Sequence, residues 1–392
     1  MFRHSLLAQH FMPTLLLLSP LGGIFDSPAY LIVVQSLFHA IAGFLLYRLA
    51  QRHTGRWVAL ALTAAFLFSR RAHSAATSVF YIESLVPLLV FGAVLAWSSR
   101  RLVLYGVLFV LALGCKEDVA LYFATFGAGL ALRRADRTLG LATAAVSIAW
   151  LVAAVTIAIP SWRDLYGLND LNPFLEERYG SAATMAVRIF SFDALARIVT
   201  VFSATGFIAA AAPAWAAIAM VGIVVNLAAA PESLQAGLLG HYLWPILPWL
   251  FVAAAIGAVR IEAAMGERAR WLPLAILAVA LIDLPLPRAI VRTPWRQTSA
   301  ARETIDQLTA IPAAANVLAQ PNLIPHLPRR LQMHSLGVYT AGQPEADFVA
   351  LTKEGDLWPF TADEVEKRIA AYDADARFER LKDGPAYVYR RR

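Results

Sequence analysis

Apolar residues run along this chain in long blocks, and the polar stretches between the blocks are short and rich in arginine. Reading by window and flank gives about ten hydrophobic segments, near 29–48, 57–69, 79–97, 102–115, 119–132, 139–159, 195–212, 214–230, 242–259 and 271–287. Lipid offers backbone groups no partner, so such blocks must be helices or strands of a closed barrel. Stretches such as 139–159 are apolar on every face and too continuous for barrel strands, which predicts helices. From about residue 296 the pattern becomes that of a soluble α/β unit. An amphipathic helix is expected over 299–310, with short strands at 316–320 and 346–351. A second helix is expected over 361–372, with Thr361 as its N-cap and Glu364 three residues on. Lys382-Asp383-Gly384-Pro385 reads as a turn into a strand at 386–389. The expected fold class is therefore an all-α polytopic membrane domain, residues 1–295, followed by a small soluble α/β domain, residues 296–392.

Composition supports the membrane reading. Hydrophobic residues make up 59% of the chain and charged residues only 16%, where a soluble domain carries about 25% charged residues. The net charge of +7 could suggest nucleic acid, but many arginines sit beside apolar blocks, where they act as topology signals. The partner expected is the lipid bilayer, and no nucleic acid. Cys115 is the single cysteine, so no intrachain disulfide is possible.

Arginine placement sets an orientation. Arg48, Arg52 and Arg56, then Arg100 and Arg101, then Arg133, Arg134 and Arg137, then Arg260, Arg268 and Arg270 mark one set of loops. The positive-inside rule puts that set in the cytoplasm. Arg70 and Arg71 violate the pattern. Segments 102–115 and 119–132 then form a hairpin whose tip, Lys116-Glu117-Asp118, points outward. Each arm is about 20 Å of helix at 1.5 Å per residue, against a hydrocarbon core of ~30 Å, so the charged tip should lie below the outer surface. The same count puts His10, residues 160–194, 231–241 and everything after 288 outside. A multi-pass protein of the inner membrane with an extracytoplasmic C-terminal domain is expected. A start on the outer side implies a preceding span, so the N-terminus reads as truncated.

Ionisable groups in apolar surroundings are costly, which makes them functional candidates. Lys116 is the sole lysine before residue 353. It offers a compact charge for phosphate, and Glu117 and Asp118 beside it could serve as general base or hold a divalent metal. The plainer alternative is a solvated hairpin turn. Glu83, in Phe80-Tyr81-Ile82-Glu83, is a second acid/base candidate, or a helix-start residue interacting with the dipole. His241 and Tyr242 precede a segment and could bind substrate or anchor at the interface. Arg178 and Tyr179, after Glu176-Glu177, could fold onto a phosphate or sugar, or be ordinary loop residues. His10 stands at the chain start, where disorder is the default. Asp283 reads as a helix-end residue. No Walker loop, dinucleotide fingerprint or HExxH spacing occurs.

The order HFxP, FYIE, KEDVAL, RYG and GHYLWP, followed by QPNLIPHLPRR, resembles an uncharacterised bacterial family of predicted membrane proteins with a domain of unknown function. The resemblance covers nearly the whole chain, with KEDVAL and PHLPRR its most specific parts. That family looks related to the GT-C glycosyltransferases, which take sugars from polyprenyl-phosphate lipids. The resemblance implies a GT-C-like membrane fold and maps the family's KED onto Lys116, Glu117 and Asp118, and its HF onto His10 and Phe11. Tyr81 stands where the family usually has histidine. GT-C enzymes generally carry an acidic catalytic residue in the first outer loop, and this chain begins within that loop.

The leading expectation is a GT-C-like transferase using a polyprenyl-phosphate-linked sugar at the extracytoplasmic face. Glu83 or Asp118 would act as acid/base or metal-coordinating group. Lys116, helped by Arg178 or His241, would hold the phosphate, with Glu117 orienting Lys116. The alternative is a transporter or lipid-handling protein without catalysis, with an assembly factor as a third reading.

Overall fold

A computed structural model describes residues 6–25, 29–76, 80–165, 178–282, 298–327, 332–337, 345–355, 357, 360–381 and 384–392. Glu176, Glu177, Asp283, Lys382 and Asp383, which carried sequence expectations, lie outside the described residues. The rest group into two compact units. The larger holds residues 6–18 and 31–282, and the smaller holds 19–25, 29–30 and the described part of 298–392.

The larger unit is helical. In order it contains α1 (Ala29–Ala50), α2 (Arg56–Phe68), α3 (Arg70–Ala76), α4 (Val86–Ser98), α5 (Leu102–Leu113), α6 (Val119–Ala131) and α7 (Arg137–Ala153). A π turn over Ala154–Ala158 joins α7 to α8 (Ile159–Leu165). Then follow α9 (Ala182–Ile189), α10 (Phe192–Ser203), α11 (Pro213–Leu227), α12 (Leu247–Met265) and α13 (Leu272–Ala280). Helices α4, α11, α12 and α13 carry proline in the first turn, where the missing N–H has no helical partner to lose. Serines cap α9 and α10, each accepting from the backbone N–H three residues on: Ser181 from Thr184 and Ser191 from Ala194.

The expectation of about ten hydrophobic membrane helices needs correction. Among the described residues three helical runs are long and apolar enough to cross a membrane: Tyr30–Ala50, Arg134–Leu165 and Gly240–Ala280. The other apolar helices are short. Helices α5 and α6 have 12 and 13 residues, about 20 Å at 1.5 Å per residue. Segment 195–212 is no span at all. Its first part is α10, and the chain then turns through Gly206 and Phe207, both left-handed with φ of 60° and 62°. Hydropathy windows register apolar character and not helix length: Arg56–Phe68, Ile82–Ser98, Leu102–Leu113, Val119–Ala131 and Pro213–Leu227 are apolar helices of 10–17 residues.

Packing explains why short helices suffice. Helices α6 and α7 approach so closely that a methyl on Gly127 would lie 2.6 Å from the Ala144 nitrogen and 2.7 Å from the Gly140 oxygen. Small residues at such crossings let backbones meet and gain dispersion contacts where lipid provides no hydrophobic drive. Rings of Phe123, Phe126 and Trp249 fill the centre, at centroid distances of 5.2–5.3 Å between Trp249 and each phenylalanine. The outer faces of α1 and α5 expose Ile32, Leu37 and Phe44, and Val103, Val107 and Val110, as lipid-facing helices do.

The smaller unit carries a mixed five-stranded sheet, order β2-β1-β3-β5-β4, with β1 (Val317–Ala319), β2 (Met333–Ser335), β3 (Phe348–Thr352), β4 (Phe378–Arg380) and β5 (Ala386–Arg391). Strands β2, β1 and β3 are parallel, while β5 runs antiparallel to β3 and β4. The period of two splits the sheet. Val317, Ala319, Phe348, Ala350 and Val388 form one core with Leu308 of α14 (Ser299–Thr309). Leu318, Val349, Leu351 and Tyr389 form another with Val365 and Ile369 of α15 (Ala362–Ala374). Thr361 and Glu364 make the expected capping box. Strands β2 and β4, three residues each, were not visible in the sequence pattern.

Candidate functional site

The hairpin tip between α5 and α6 is buried. Lys116 is 7% exposed, although a lysine is rarely buried without partners. Its ammonium stands 3.5 Å from Glu83 Oε1 and 3.5 Å from Asp118 Oδ2. The Tyr242 ring lies 5.5 Å away, within cation–π range. Glu83, 2% exposed, reaches the tip from the short 3-10 turn Ile82–Leu85 that leads into α4. Glu83 Oε2 and Asp118 Oδ1 are buried with no hydrogen-bond partner among the described residues. Two charges taken out of water need good geometry and further hydrogen bonds to be repaid. Here the ion pairs are longer than the ~2.7–2.9 Å of tight charge-assisted bonds, and one oxygen on each acid is unspent. The solvated-turn alternative does not fit these burials.

Glu117 turns the other way. Its Oε1 lies 2.7 Å from His10 Nδ1, and its Oε2 accepts from the Phe11 backbone N–H at 2.9 Å. The expected role of orienting Lys116 therefore falls to Glu83 and Asp118, because consecutive residues in the turn project apart. The N-terminal segment is anchored further along. The Thr14 N–H donates to Gly114 O at 2.9 Å and its hydroxyl to Leu111 O at 2.9 Å. A β-carbon at Gly114 would collide with the Thr14 side chain. His10 thus has a fixed place rather than the disorder expected of a chain start.

His241 and Tyr242 lie in the 3-10 turn Gly240–Leu243 ahead of α12. The His241 ring stacks on Tyr81, centroids 3.8 Å apart. The Tyr242 hydroxyl accepts from Arg178 Nη2 at 2.7 Å. Arg178 Nε donates to Gln235 Oε1 at 2.6 Å, and Gln235 Nε2 donates to Tyr179 Oη and Asn226 Oδ1, each at 3.1 Å. The structure so brings together Glu83, Lys116, Asp118, Tyr242 and Arg178, with Glu117 and His10 on the same tip and His241 beside Tyr81. Gln235 and Asn226 joined this network unannounced. Nothing in their local sequence marks them, since their partners come from distant segments.

Arginine supports the loop that delivers His241. Arg71 Nη1 donates to Leu238 O at 3.1 Å, and Arg197 Nη1 to Ala236 O at 2.8 Å. Arg71 is thereby tied to a carbonyl of this loop.

Among the described residues no group of three or more His, Cys, Asp or Glu side chains is arranged to hold a metal ion. The Lys116 ammonium occupies the space between Glu83 and Asp118. Sequence comparison fits this picture of charged groups gathered inside a helical membrane unit: a family model described as predicted membrane protein, DUF2079, matches residues 1–379. The chain belongs to the DUF2079 family. No curated protein matches it. Membership of DUF2079 makes it a membrane protein and carries no statement of activity.

Proposed function

We propose that this DUF2079 protein is a GT-C-like glycosyltransferase. It moves a sugar from a polyprenyl-phosphate donor to an acceptor hydroxyl at the extracytoplasmic face of the inner membrane, where residues 296–392 also lie. The observation that supports this reading is the Lys116 ammonium between Glu83 and Asp118, with an unspent oxygen on each acid.

The acceptor oxygen attacks the anomeric carbon while the bond from that carbon to the phosphate oxygen breaks. Asp118, whose side chain is 35% exposed, takes the acceptor proton as general base. The lipid phosphate leaves with the bonding electron pair, and its charge is met by Lys116 and Arg178. Glu83, buried, holds Lys116 when no phosphate is present. Tyr242, between the two cations, keeps Arg178 in place by its hydroxyl. Tyr81 and His241 offer an aromatic wall for the sugar, and Tyr179 braces Arg178 through Gln235. Glu117 and His10 fix the hairpin tip.

The test is a reconstituted assay with a panel of polyprenyl-phosphate hexoses and pentoses. Asp118→Asn is expected to abolish release of lipid phosphate while retaining lipid binding. Full release by Asp118→Asn removes it as base. Binding of polyprenyl phosphate without release from any donor by the wild type would favour a lipid-handling protein instead.

A further inference from the structure

Helices α4 and α6 have a second end. Glu83 and Lys116 stand near their N-terminal ends, while Trp97, Arg100 and Arg133 stand at their C-terminal ends, about 20 Å away at 1.5 Å per residue. A cavity of about 600 Å³ opens there, a size that suits a small ligand. Its body is aromatic: Trp97 and Phe126 line it with Trp215 of α11, centroids 5.7–6.1 Å apart. Its rim is charged. Arg100 and Arg133 both reach Asp136, which is 3% exposed. Two cations against one anion leave an excess positive charge. Both guanidinium side chains remain more than half exposed, at 60% and 56%.

Three details bear on what this cavity could hold. Trp97 is 92% buried, and its indole N–H, like those of Trp150, Trp244 and Trp249, has no partner among the described residues. Arg133 lies over the same indole at 5.2 Å. Arg100 holds a left-handed backbone at φ 59°, a strain that the surrounding structure must hold in place. An aromatic cavity under a rim with surplus guanidinium is complementary to a molecule with an apolar chain and an anionic head.

We propose that this cavity binds a phosphate-bearing membrane lipid, its chain against Trp97, Phe126 and Trp215 and its phosphate at Arg133 and Arg100. The site is separate from the Lys116 site and does not depend on the reaction proposed there. Arg133 is the responsive group, since Arg100 makes the closer contact with Asp136 and can neutralise it alone.

The test is native mass spectrometry of the full chain released from detergent, with phosphatidic acid, diacylglycerol of the same chains, or inorganic phosphate added. Wild type is expected to retain one phosphatidic acid at least about tenfold better than diacylglycerol, the effect of ~1.4 kcal/mol. Inorganic phosphate should not compete. Arg133→Gln should bring phosphatidic acid down to the diacylglycerol level. Gly129→Phe should remove both lipids, because a β-carbon at Gly129 meets nothing within 4 Å and the residue lines the cavity. Ile218→Phe, which fills the same cavity from α11, serves where Gly129→Phe misfolds. Lys116→Arg should leave this binding unchanged. Equal retention of the two lipids, an unaltered Arg133→Gln, competition by inorganic phosphate, or lipid loss in Lys116→Arg would each overturn the proposal.

Discussion

The ring of Tyr81 lies flat against the imidazole of His241, planes 19° from parallel. Tyr81 fixes its own position through its backbone N–H, which donates to Gln35 Oε1 at 3.3 Å, so His241 packs on a preset surface. Tyr81→Phe keeps the ring and is expected to leave thermal stability and donor binding near wild type. Tyr81→Ala should cost about 0.5–1.5 kcal/mol for the lost aromatic pair, read as a lowered melting temperature. It should also weaken sugar-donor binding more than binding of the unglycosylated lipid phosphate. Equal losses for both ligands would remove the aromatic wall from the site.

Lys116 and Glu83 form a pair whose halves cannot be removed separately without penalty. Lys116→Ala leaves a buried carboxylate at Glu83 uncompensated, and truncating one partner of such a pair costs about 3–5 kcal/mol. Lys116→Met with Glu83→Gln should recover most of the lost stability without recovering phosphate binding. Lys116→Arg should recover binding only in part, since a planar fork replaces a point charge. Thermal melts and lipid-phosphate titrations of the four proteins check both statements. A double variant no more stable than Lys116→Ala would show that the pair is not the source of the loss.

Two glycines should behave in opposite ways. Gly127→Ala pushes a methyl into the α7 backbone and should destabilise by about 1–3 kcal/mol, the usual cost of overpacking. At Gly106, in α5, a β-carbon meets nothing within 4 Å. Gly106→Ala should be neutral or stabilise by up to ~1 kcal/mol through helix propensity. Melting temperatures of the purified variants decide.

In the smaller unit, hydrogen bonds and charge from Arg377 hold the Asp375 carboxyl down at about 2, and the Thr361 N–H and hydroxyl lower that of Glu364. A depressed folded-state value contributes stability above the unfolded value, and that contribution is lost as pH falls toward the folded one. Resistance of residues 298–392 to an acid-active protease should therefore decline as pH falls from about 4.5 toward 2. Asp375→Asn should flatten the lower part of that decline. An unchanged profile would contradict the role of Asp375.

What the sequence revealed depended on how local the cause was. Thr361 and Glu364 lie three residues apart and form a capping box that any chain in that register would make. The Lys116 tip was legible because a lone lysine between two apolar helices must find partners, and Glu83 and Asp118 are those partners. The partner of Glu117 was not, for His10 is 107 residues away and histidine near a chain start carries no local signal. Strands β2 and β4 are too short to show alternation and exist because neighbouring strands accept them. The aromatic cavity joins α4, α6 and α11, and no single segment hints at it. The shortfall in long helices has another origin: a hydropathy window reports apolar character and not where a helix ends, and α5 and α6 stop at 12 and 13 residues.

The clasp on the loop before His241 uses main-chain oxygens. Arg71 and Arg197 read Leu238 and Ala236 as carbonyls, indifferent to the side chains those residues carry. Gln235 is gripped through its amide and Ser233 through its hydroxyl. At the two clasped carbonyls the hold is on the main chain itself. Arg71 of α3 and Arg197 of α10 set the course of the loop from outside it, so a change in either helix reaches His241 without touching the loop's own sequence.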